Sequence, residues 1–387
     1  MKIALTIRDF RPERGGGERY AWRLAEAFAK RGHDVCVFAA EVSTLPDGVA
    51  AHRVPLGGGP KRLAFARNCA RMLEECEGEH DVVHGFGKSL RMDVFRPGGG
   101  AHRAWMERDP LSVENPLARR LRRVRRRLTP AQWLLLRHER RQYAGAPFPP
   151  EVIANSRMVR DDIRRFYDVP DERIHVIYNG VDTAHFSPAN RRKLRTDVRQ
   201  RHGLSDDDLV LLFVANNFRL KGLRPLIRAL ARLAPKHPEL RLLVVGRGRS
   251  ASFTRLARNL GCADRIAFAG AAADTAPFYA AADVFAHPTF YDPCANVTLE
   301  ALASGAPVVT STRNGAGELI AEGVEGSVID PEDVAALAQA IESFLAPERR
   351  AAAGAAARAL AERHGMDRHV DDVLSVYETA QRRKRKP

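Results

Sequence analysis

No apolar run in this chain of 387 residues approaches the roughly 20 residues that a membrane-spanning helix needs. A helical integral membrane protein is therefore excluded, and any meeting with a bilayer is expected from the side. The start of the sequence, MKIALTIRDF, lacks the apolar core of a secretory signal, because Arg8 and Asp9 interrupt it. Cysteine is sparse and odd in number: Cys36, Cys69, Cys76, Cys262 and Cys294. No pair has metal-ligand spacing with a second pair behind it, so neither a disulfide framework nor a zinc site is expected. Reduced thiols of a cytosolic protein are the simple reading. Aromatic residues make up only 7% of the chain, which leaves little for stacking on bases. The acidic run SDDDL precedes a probable strand and reads as a solvated cap cluster rather than a D-x-D metal site.

Basic charge, in contrast, is abundant. The formal net charge of +15 favours an anionic partner: a nucleotide, a phospholipid, a lipopolysaccharide or a nucleic acid. With 45% hydrophobic residues the composition is globular, and the length fits two domains with a core each.

The chain opens as strand, glycine loop, helix, strand: KIALTI, ERGGGERY, YAWRLAEAFAKRG, HDVCVFAA. Trp22, Leu24, Ala25, Phe28 and Ala29 share one side of that helix, and Gly32 is its expected stop. This is the parallel βαβ pattern. HDVVHGFG, EVIANS and IHVIYNGVD read as further strands, and YNGVDTAHFSPAN as a linker. The alternation restarts near Asn190 with LVLLFVANN and runs to ADVFAHPT. Two doubly wound α/β domains in tandem are expected, 1–185 and 186–365, followed by a last helix over 366–387.

Open parallel sheets bind ligands beyond the carboxyl ends of their strands. The first strand-to-helix turn carries Gly15, Gly16 and Gly17, which permit close backbone approach to an anion or a sugar hydroxyl at a helix N-terminus. A tight turn with no ligand fits equally. In NNFRLKG, Arg219 and Lys221 sit at the mouth of a second such turn, where two cations suit a diphosphate or simply a solvated basic turn. FYDPCANVTLEALASGAPVV places Asp292 in a loop and Glu300 about one turn into a helix, with Asn296 the expected N-cap and Gly305 the stop. Amides from Cys294, Ala295, Asn296 and Val297 would receive phosphate. The two acids would accept sugar hydroxyls on either side of it, or would merely be solvated.

Together these residues resemble family 4 of the retaining glycosyltransferases. Asp292 and Glu300 with EALASGAPVV are similar to that family's E-x7-E signature, and FRLKG to its donor-phosphate motif. ADVFAHPTFYDP, VIYNGVD and GGGERY also match, so the resemblance covers almost the whole chain. DVFRPGGGAHRAW and FYDPCANVTLEALASGAPVVTS look closest to the lipopolysaccharide core glucosyltransferase I branch. The resemblance implies an α/β GT-B fold, two Rossmann-like domains facing a central cleft, with the last helix crossing back to the first domain. It implies that Arg219 and Lys221 bind the donor diphosphate, with Gly16 and Gly17 against it. Asp292 would contact the transferred sugar, Glu300 the ribose, and His102 would sit near the reacting centre. It implies a metal-independent, retaining hexosyltransferase with no cofactor beyond its nucleotide-sugar, best matched by UDP-glucose and a lipopolysaccharide core acceptor. Three features depart from the family. Asp292 is one methylene shorter than the usual glutamate, PCAN replaces a glycine-rich loop so that Pro293 offers no N–H, and Arg219 lies nearer its lysine than usual.

PLARRLRRVRRRLTPAQWLLLRHERRQ is the most unusual stretch. Leu117, Leu121, Val124 and Leu128 form one helical stripe, while Arg119, Arg120, Arg122, Arg123, Arg125 and Arg126 fill the other faces and Trp133 follows. A basic amphipathic helix beside Trp and Leu reads as a membrane-surface element or a site for an anionic acceptor. In the resembled branch a basic region here is associated with membrane binding, which would place the protein at the inner face of the cell membrane. A helix packing its leucines on the domain is the plainer alternative. Nucleic acid is disfavoured, because no RNA-recognition sheet, zinc finger or helix-turn-helix accompanies the arginines. Transfer to another glycan or glycolipid from UDP-N-acetylglucosamine or GDP-mannose, and a non-catalytic basic membrane- or RNA-binding module, remain as rival readings. The tail RRKRKP adds further charge.

Overall fold

The computed structural model describes residues 1–57, 61–145 and 148–384. The chain divides into two compact units, one of Met1–Met106, Leu121–Tyr178 and Asp367 onward, the other of Glu107–Arg120 and Asn179–Met366. The boundary thus falls at Tyr178/Asn179 instead of 185/186, and residues 107–120 group with the second unit. Hydrogen bonds explain both differences. Val181 N donates to His364 O at 3.0 Å and Asn179 Nδ2 to Cys294 O at 3.0 Å, drawing the linker into the second unit. Asp109, Glu114 and Arg119 pair with Arg219, Arg228 and Glu332 there. Of the last helix and its basic tail, Arg385, Lys386 and Pro387 lie outside the described residues.

The first unit holds a seven-stranded, all-parallel sheet. Its order is Val49–Arg53, Asp34–Ala39, Lys2–Thr6, Val82–Phe86, Val94–Arg96, Glu151–Ala154, Ile174–Val176. Strand order reverses beside Lys2–Thr6, and the glycine turn leaves from that strand's carboxyl end. Helix Gly16–Lys30 buries Tyr20, Ala21, Leu24, Ala25 and Phe28, and Gly32 follows it at φ +77°. Trp22 is only half-buried, its indole N–H donating to Thr44 O at 3.1 Å.

Helix Met366–Lys384 belongs to this unit, burying Val370, Val373, Val376 and Tyr377. Buried polar pairs fix its rotation. His369 Nδ1 donates to Tyr178 O at 2.8 Å, so its Nε2 accepts from Tyr20 Oη at 2.7 Å. Burial pulls the His369 imidazole down to about 3, which keeps this tautomer neutral. Tyr377 Oη meets His84 Nδ1 at 2.6 Å.

The second unit holds a six-stranded parallel sheet. Its order is Ile266–Gly270, Leu240–Val245, Leu209–Val214, Val284–His287, Val308–Ser311, Gly326–Ile329. Strands such as LVLLFV are apolar throughout because helices cover both faces. The switch point lies between Leu209–Val214 and Val284–His287, and a buried carboxylate secures it. Asp283 accepts from Arg191 (2.9 Å), Arg195 (3.0 Å), Arg199 (2.7 Å) and the Val210 amide (2.9 Å). The three arginines recur every fourth residue along helix Asn190–Arg201, so one face converges on one acid. Burial opposes the charge on Asp283, yet Arg195, the Val210 amide, Arg199 and Arg191 together hold its carboxyl below its ordinary range.

Removing that acid takes the counter-charge from Arg199, which is 1% exposed and keeps only carbonyl partners. Asp283→Ala should lower the unfolding free energy of the second unit by about 3–5 kcal/mol, read from urea titrations at pH 7. The carboxyl is depressed in the folded state, so its contribution is present above the ordinary value of 3.8 and is lost as pH falls below it. The gap between wild type and Asp283→Ala should narrow in acid; a gap that is constant with pH would contradict the ionic account.

Candidate active site

Beyond Val214 the chain makes the turn Ala215–Gly222 before helix Leu223–Leu233. Lys221 N donates to Asn217 O at 2.9 Å and Leu220 N to Asn217 Oδ1 at 3.2 Å, so Asn217 shapes the turn. Gly222 closes it at φ +85°, and a Cβ there would lie 1.9 Å from Pro288 O. Only glycine lets this turn press against the loop that leaves the neighbouring strand. Leu220 O accepts from Phe290 N (2.8 Å) and Thr289 Oγ1 (3.2 Å), completing the seam.

Lys221 and Asp292 meet across that seam. Lys221 Nζ lies 2.5 Å from Asp292 Oδ2 and 3.1 Å from Tyr291 O. The backbone of Asp292 is fixed on both sides, its N–H donating to Arg313 O (3.0 Å) and its carbonyl accepting from Gly315 N (2.9 Å). Beneath them His287 is buried, and burial reinforced by the Lys221 charge pulls its imidazole down to about 3. The floor of the site is therefore a neutral ring.

Helix Asn296–Ala303 begins beside this pair, and Gly305 follows it at φ +71°. Asn296 is not its N-cap. Ala295 holds that position without a side-chain cap, and the helix starts at Asn296. Asn314 does the work from another loop: its Oδ1 accepts from Ala295 N (3.2 Å) and Ala316 N (3.1 Å), and its Nδ2 donates to Thr298 Oγ1 and Thr310 Oγ1, both at 2.9 Å. Asn296 is drawn instead to Asn179, whose Nδ2 lies 2.6 Å from Asn296 Oδ1. Cys294 and Ala295 are buried, and the Ala295 amide is engaged by Asn314, while Asn296 and Val297 are half-exposed in the first helical turn. One turn on, Glu300 is buried and its Oε2 accepts from Tyr279 Oη (2.9 Å) and Thr275 Oγ1 (3.3 Å). The second unit thus brings together Lys221, Asp292, the helix start and Glu300. Asn314, Asn179, Tyr279 and Thr275, which hold the helix start and Glu300, were not singled out by the sequence; these bonds reach across 16 to 117 residues, and His287 lies inside a strand.

Arg219 is held by another segment of the second unit. Its guanidinium pairs with the buried Asp109 at 2.7 Å and also donates to Ser112 Oγ. In the first unit, Gly16 and Gly17 are exposed at the start of helix Gly16–Lys30, which has no side-chain cap, and a Cβ on Gly17 would meet open space. His102 opens helix His102–Arg108. Its amide donates to both oxygens of Glu139 (2.9 and 3.1 Å), its Nε2 lies 2.6 Å from Gln132 Oε1, and its ring stacks on Trp105 with centroids 5.2 Å apart. Glu139 is buried, and burial raises its carboxyl above the ordinary range despite the hydroxyl of Tyr167 that donates to it.

The arginine-rich stretch forms helix Pro116–Leu128 with no buried residue. Its stripe does not pack on the domain: Leu117, Leu121, Val124 and Leu128 are 78%, 69%, 44% and 72% exposed, and Trp133 is 64% exposed. Arg120, Arg123 and Arg125 are exposed and Arg122 is half-buried; Arg119 pairs with Glu332 at 3.0 Å, and Arg126 lies over the Trp105 ring at 4.1 Å. Among the described residues no helix is long and apolar enough to cross a membrane, and no group of three or more His, Cys, Asp or Glu could hold a metal ion. All five cysteines are free.

Known proteins share this architecture. The fold matches the crystal structure of WaaG, a glycosyltransferase involved in lipopolysaccharide biosynthesis, with a TM-score of 0.78 and 23% identity over 100% of both chains. It matches Anabaena HepE in complex with UDP and glucose with a TM-score of 0.73 and 21% identity, over 98% of this chain and 100% of that one. Two parallel doubly wound units of this kind make the GT-B fold. In sequence, a D-inositol 3-phosphate glycosyltransferase of Xylanimonas cellulosilytica is 30% identical over 405 aligned residues, 96% of this chain and 93% of that protein. A glycosyltransferase of Methanocaldococcus jannaschii is 26% identical over 98% of each chain. The pattern of Glycosyltransferase Family 4 matches residues 14–185, and that of Glycosyl transferases group 1 matches residues 208–347. The chain belongs to glycosyltransferase family 4.

The hub at Asn314 gives a direct check on how the site is held. Asn314→Ala leaves the Ala295 and Ala316 amides without their acceptor, at a cost of at least about 2 kcal/mol in urea unfolding. A loss below about 0.5 kcal/mol, the usual size of a neutral surface change, would mean that the loop holds its shape without it.

Proposed function

We propose that this glycosyltransferase binds a nucleotide diphosphate sugar at the strand ends of its second unit and transfers the hexosyl group with retention of configuration and without a metal. The reading favoured is UDP-glucose as donor and a heptose of a lipopolysaccharide core as acceptor, met at the cytoplasmic face of the cell membrane. One observation carries it: the Lys221–Asp292 pair at the switch point, 2.5 Å apart, beside a helix start and a buried Glu300. A diphosphate arriving there would take Lys221 from Asp292, because two phosphate charges outweigh one carboxylate. Asp292 would then be free to accept hydroxyls of the transferred sugar, and Glu300 a hydroxyl of the ribose.

Chemistry follows from that placement. As the sugar C1–O bond to the diphosphate breaks, charge builds on the leaving oxygen. Lys221 and the helix start meet it with preorganised positive charge, which often supplies the largest share of catalysis. The acceptor oxygen bonds to C1 on the same face, and its proton passes to the leaving phosphate.

The acceptor reading draws support from the exposed leucine stripe and its arginines, each cation near an anionic leaflet contributing about 1 kcal/mol. WaaG, similar in fold, acts in lipopolysaccharide biosynthesis, and HepE holds UDP and glucose. The relative from Xylanimonas favours a second reading, a polyol phosphate acceptor of the inositol phosphate kind. A non-catalytic basic module on membrane or RNA is the reading of another class.

A thermal-shift panel of UDP-glucose, UDP-galactose, UDP-N-acetylglucosamine, GDP-mannose and ADP-heptose, with and without EDTA, tests the donor. A ligand at 100 times its Kd adds about 2.7 kcal/mol, enough to raise the midpoint by several degrees. UDP-glucose should do so with EDTA present, and Lys221→Ala should abolish the shift; a shift with no donor would leave the binding module standing. Flotation with anionic vesicles tests the surface. Wild type should float, and reversal of Arg120, Arg123 and Arg125 to Glu should release it at about 0.15 M salt; flotation that survives the reversal would count against the membrane reading.

A further inference from the structure

Arg219, the second cation of the donor turn, is held in place by a segment far away in sequence. Asp109, Pro110, Leu111 and Ser112 form a single 3-10 turn within the Glu107–Arg120 segment of the second unit. Asp109 is 1% exposed. Arg219 Nη2 donates to Asp109 Oδ1 at 2.7 Å, and Nη1 donates to Asp109 O at 3.2 Å and to Ser112 Oγ. Ser112 Oγ in turn donates to Asp109 O at 2.6 Å. A guanidinium has five N–H groups in a fixed plane. Asp109 takes bonds from both Nη atoms, no bond from Nε is made among the described residues, and the side chain is 30% exposed. A phosphate accepts two parallel N–H donors of a guanidinium side-on.

The segment that carries Asp109 is itself anchored around the same site. Arg108 lies over the ring of Tyr291, 5.1 Å from its centroid, and the carbonyl of Tyr291 accepts from Lys221. Arg228 holds Glu114 through two bonds of 3.0 and 3.1 Å, and Arg119 holds Glu332 at 3.0 Å. These outer pairs are partly exposed and contribute little each. Asp109 is different, because a buried carboxylate fixes both the position and the plane of its arginine.

We propose that Asp109 is a positioning residue for donor binding, acting through Arg219: it holds the guanidinium so that Nε–H and Nη2–H present a ready fork to the donor diphosphate. The inference rests on the reading of Lys221 and Arg219 as diphosphate ligands. It adds a residue 110 positions away that orders one of them. Asp109 touches neither sugar nor phosphate.

The test is a double-mutant cycle read by calorimetry with inorganic pyrophosphate, which carries the chemistry shared by every nucleotide-sugar donor. Arg219→Ala should weaken binding about tenfold or more, and Asp109→Ala by a similar factor. The double variant should be no weaker than Arg219→Ala alone, because Asp109 acts only through the arginine. Asp109→Asn keeps an oxygen for Nη2 and should recover most of the affinity, a rescue that general damage to the fold would not give. Ser112→Ala, which keeps the ion pair, should lose about threefold or less. Additive losses in the cycle, or Asp109→Asn as weak as Asp109→Ala, would overturn the inference. If Lys221→Ala abolishes binding while Arg219→Ala leaves it unchanged, the diphosphate site stands and this inference falls. If wild type binds no pyrophosphate, the diphosphate site falls and this inference with it.

Discussion

The second unit depends on two backbone turns coming closer than a side chain would allow. Gly222, at φ +85° and with Pro288 O where its Cβ would be, lets the turn after one central strand lie on the loop after its neighbour. That contact sets the distance between Lys221 and Asp292, residues 71 positions apart. Everything polar around them serves the same end. Asp283 and its three arginines lock the two strands from the opposite end, and Asn314 ties the start of helix Asn296–Ala303 to the end of the next strand. The neutral, buried His287 adds no competing charge from below.

Charge is handled in contrasting ways along the chain. At Asp283 and Asp109 arginines are drawn inward onto single buried acids, where both partners are fixed and their loss is costly. Along Pro116–Leu128 arginines stand outward beside uncovered leucines. That helix carries seven arginines and no acid, so part of the +15 excess is concentrated where it can act on something outside the protein. In the first unit the polar pins of the last helix, His369 with Tyr20 and His84 with Tyr377, are neutral pairs, because burial makes a charged histidine too costly there.

Much of this was legible in the sequence, for a physical reason. Apolar runs such as LVLLFV and glycine stops at Gly32 and Gly305 are local signals, and strands and helix ends followed them. The D-x7-E spacing put Asp292 before a helix and Glu300 inside it, as found. What misled was whatever depends on partners distant in sequence. Asn296 has the side chain of an N-cap, but Asn314 reaches the Ala295 amide first and Asn179 claims Asn296. Glu139 lies in the arginine-rich run RHERRQ, which gives no local sign of burial, yet it is buried and accepts from the amide that opens helix His102–Arg108. Residues 107–120 sit between two parts of the first unit in sequence and join the second through ion pairs that no local pattern announces.

The most direct test of the account is the crystal structure of the protein grown with UDP-glucose. The account predicts the β-phosphate on Lys221 Nζ, with the Lys221–Asp292 pair opened, the ribose on Glu300 and the glucose on Asp292. Nucleotide bound away from Lys221 and Glu300, or bound with that pair still closed, would contradict it.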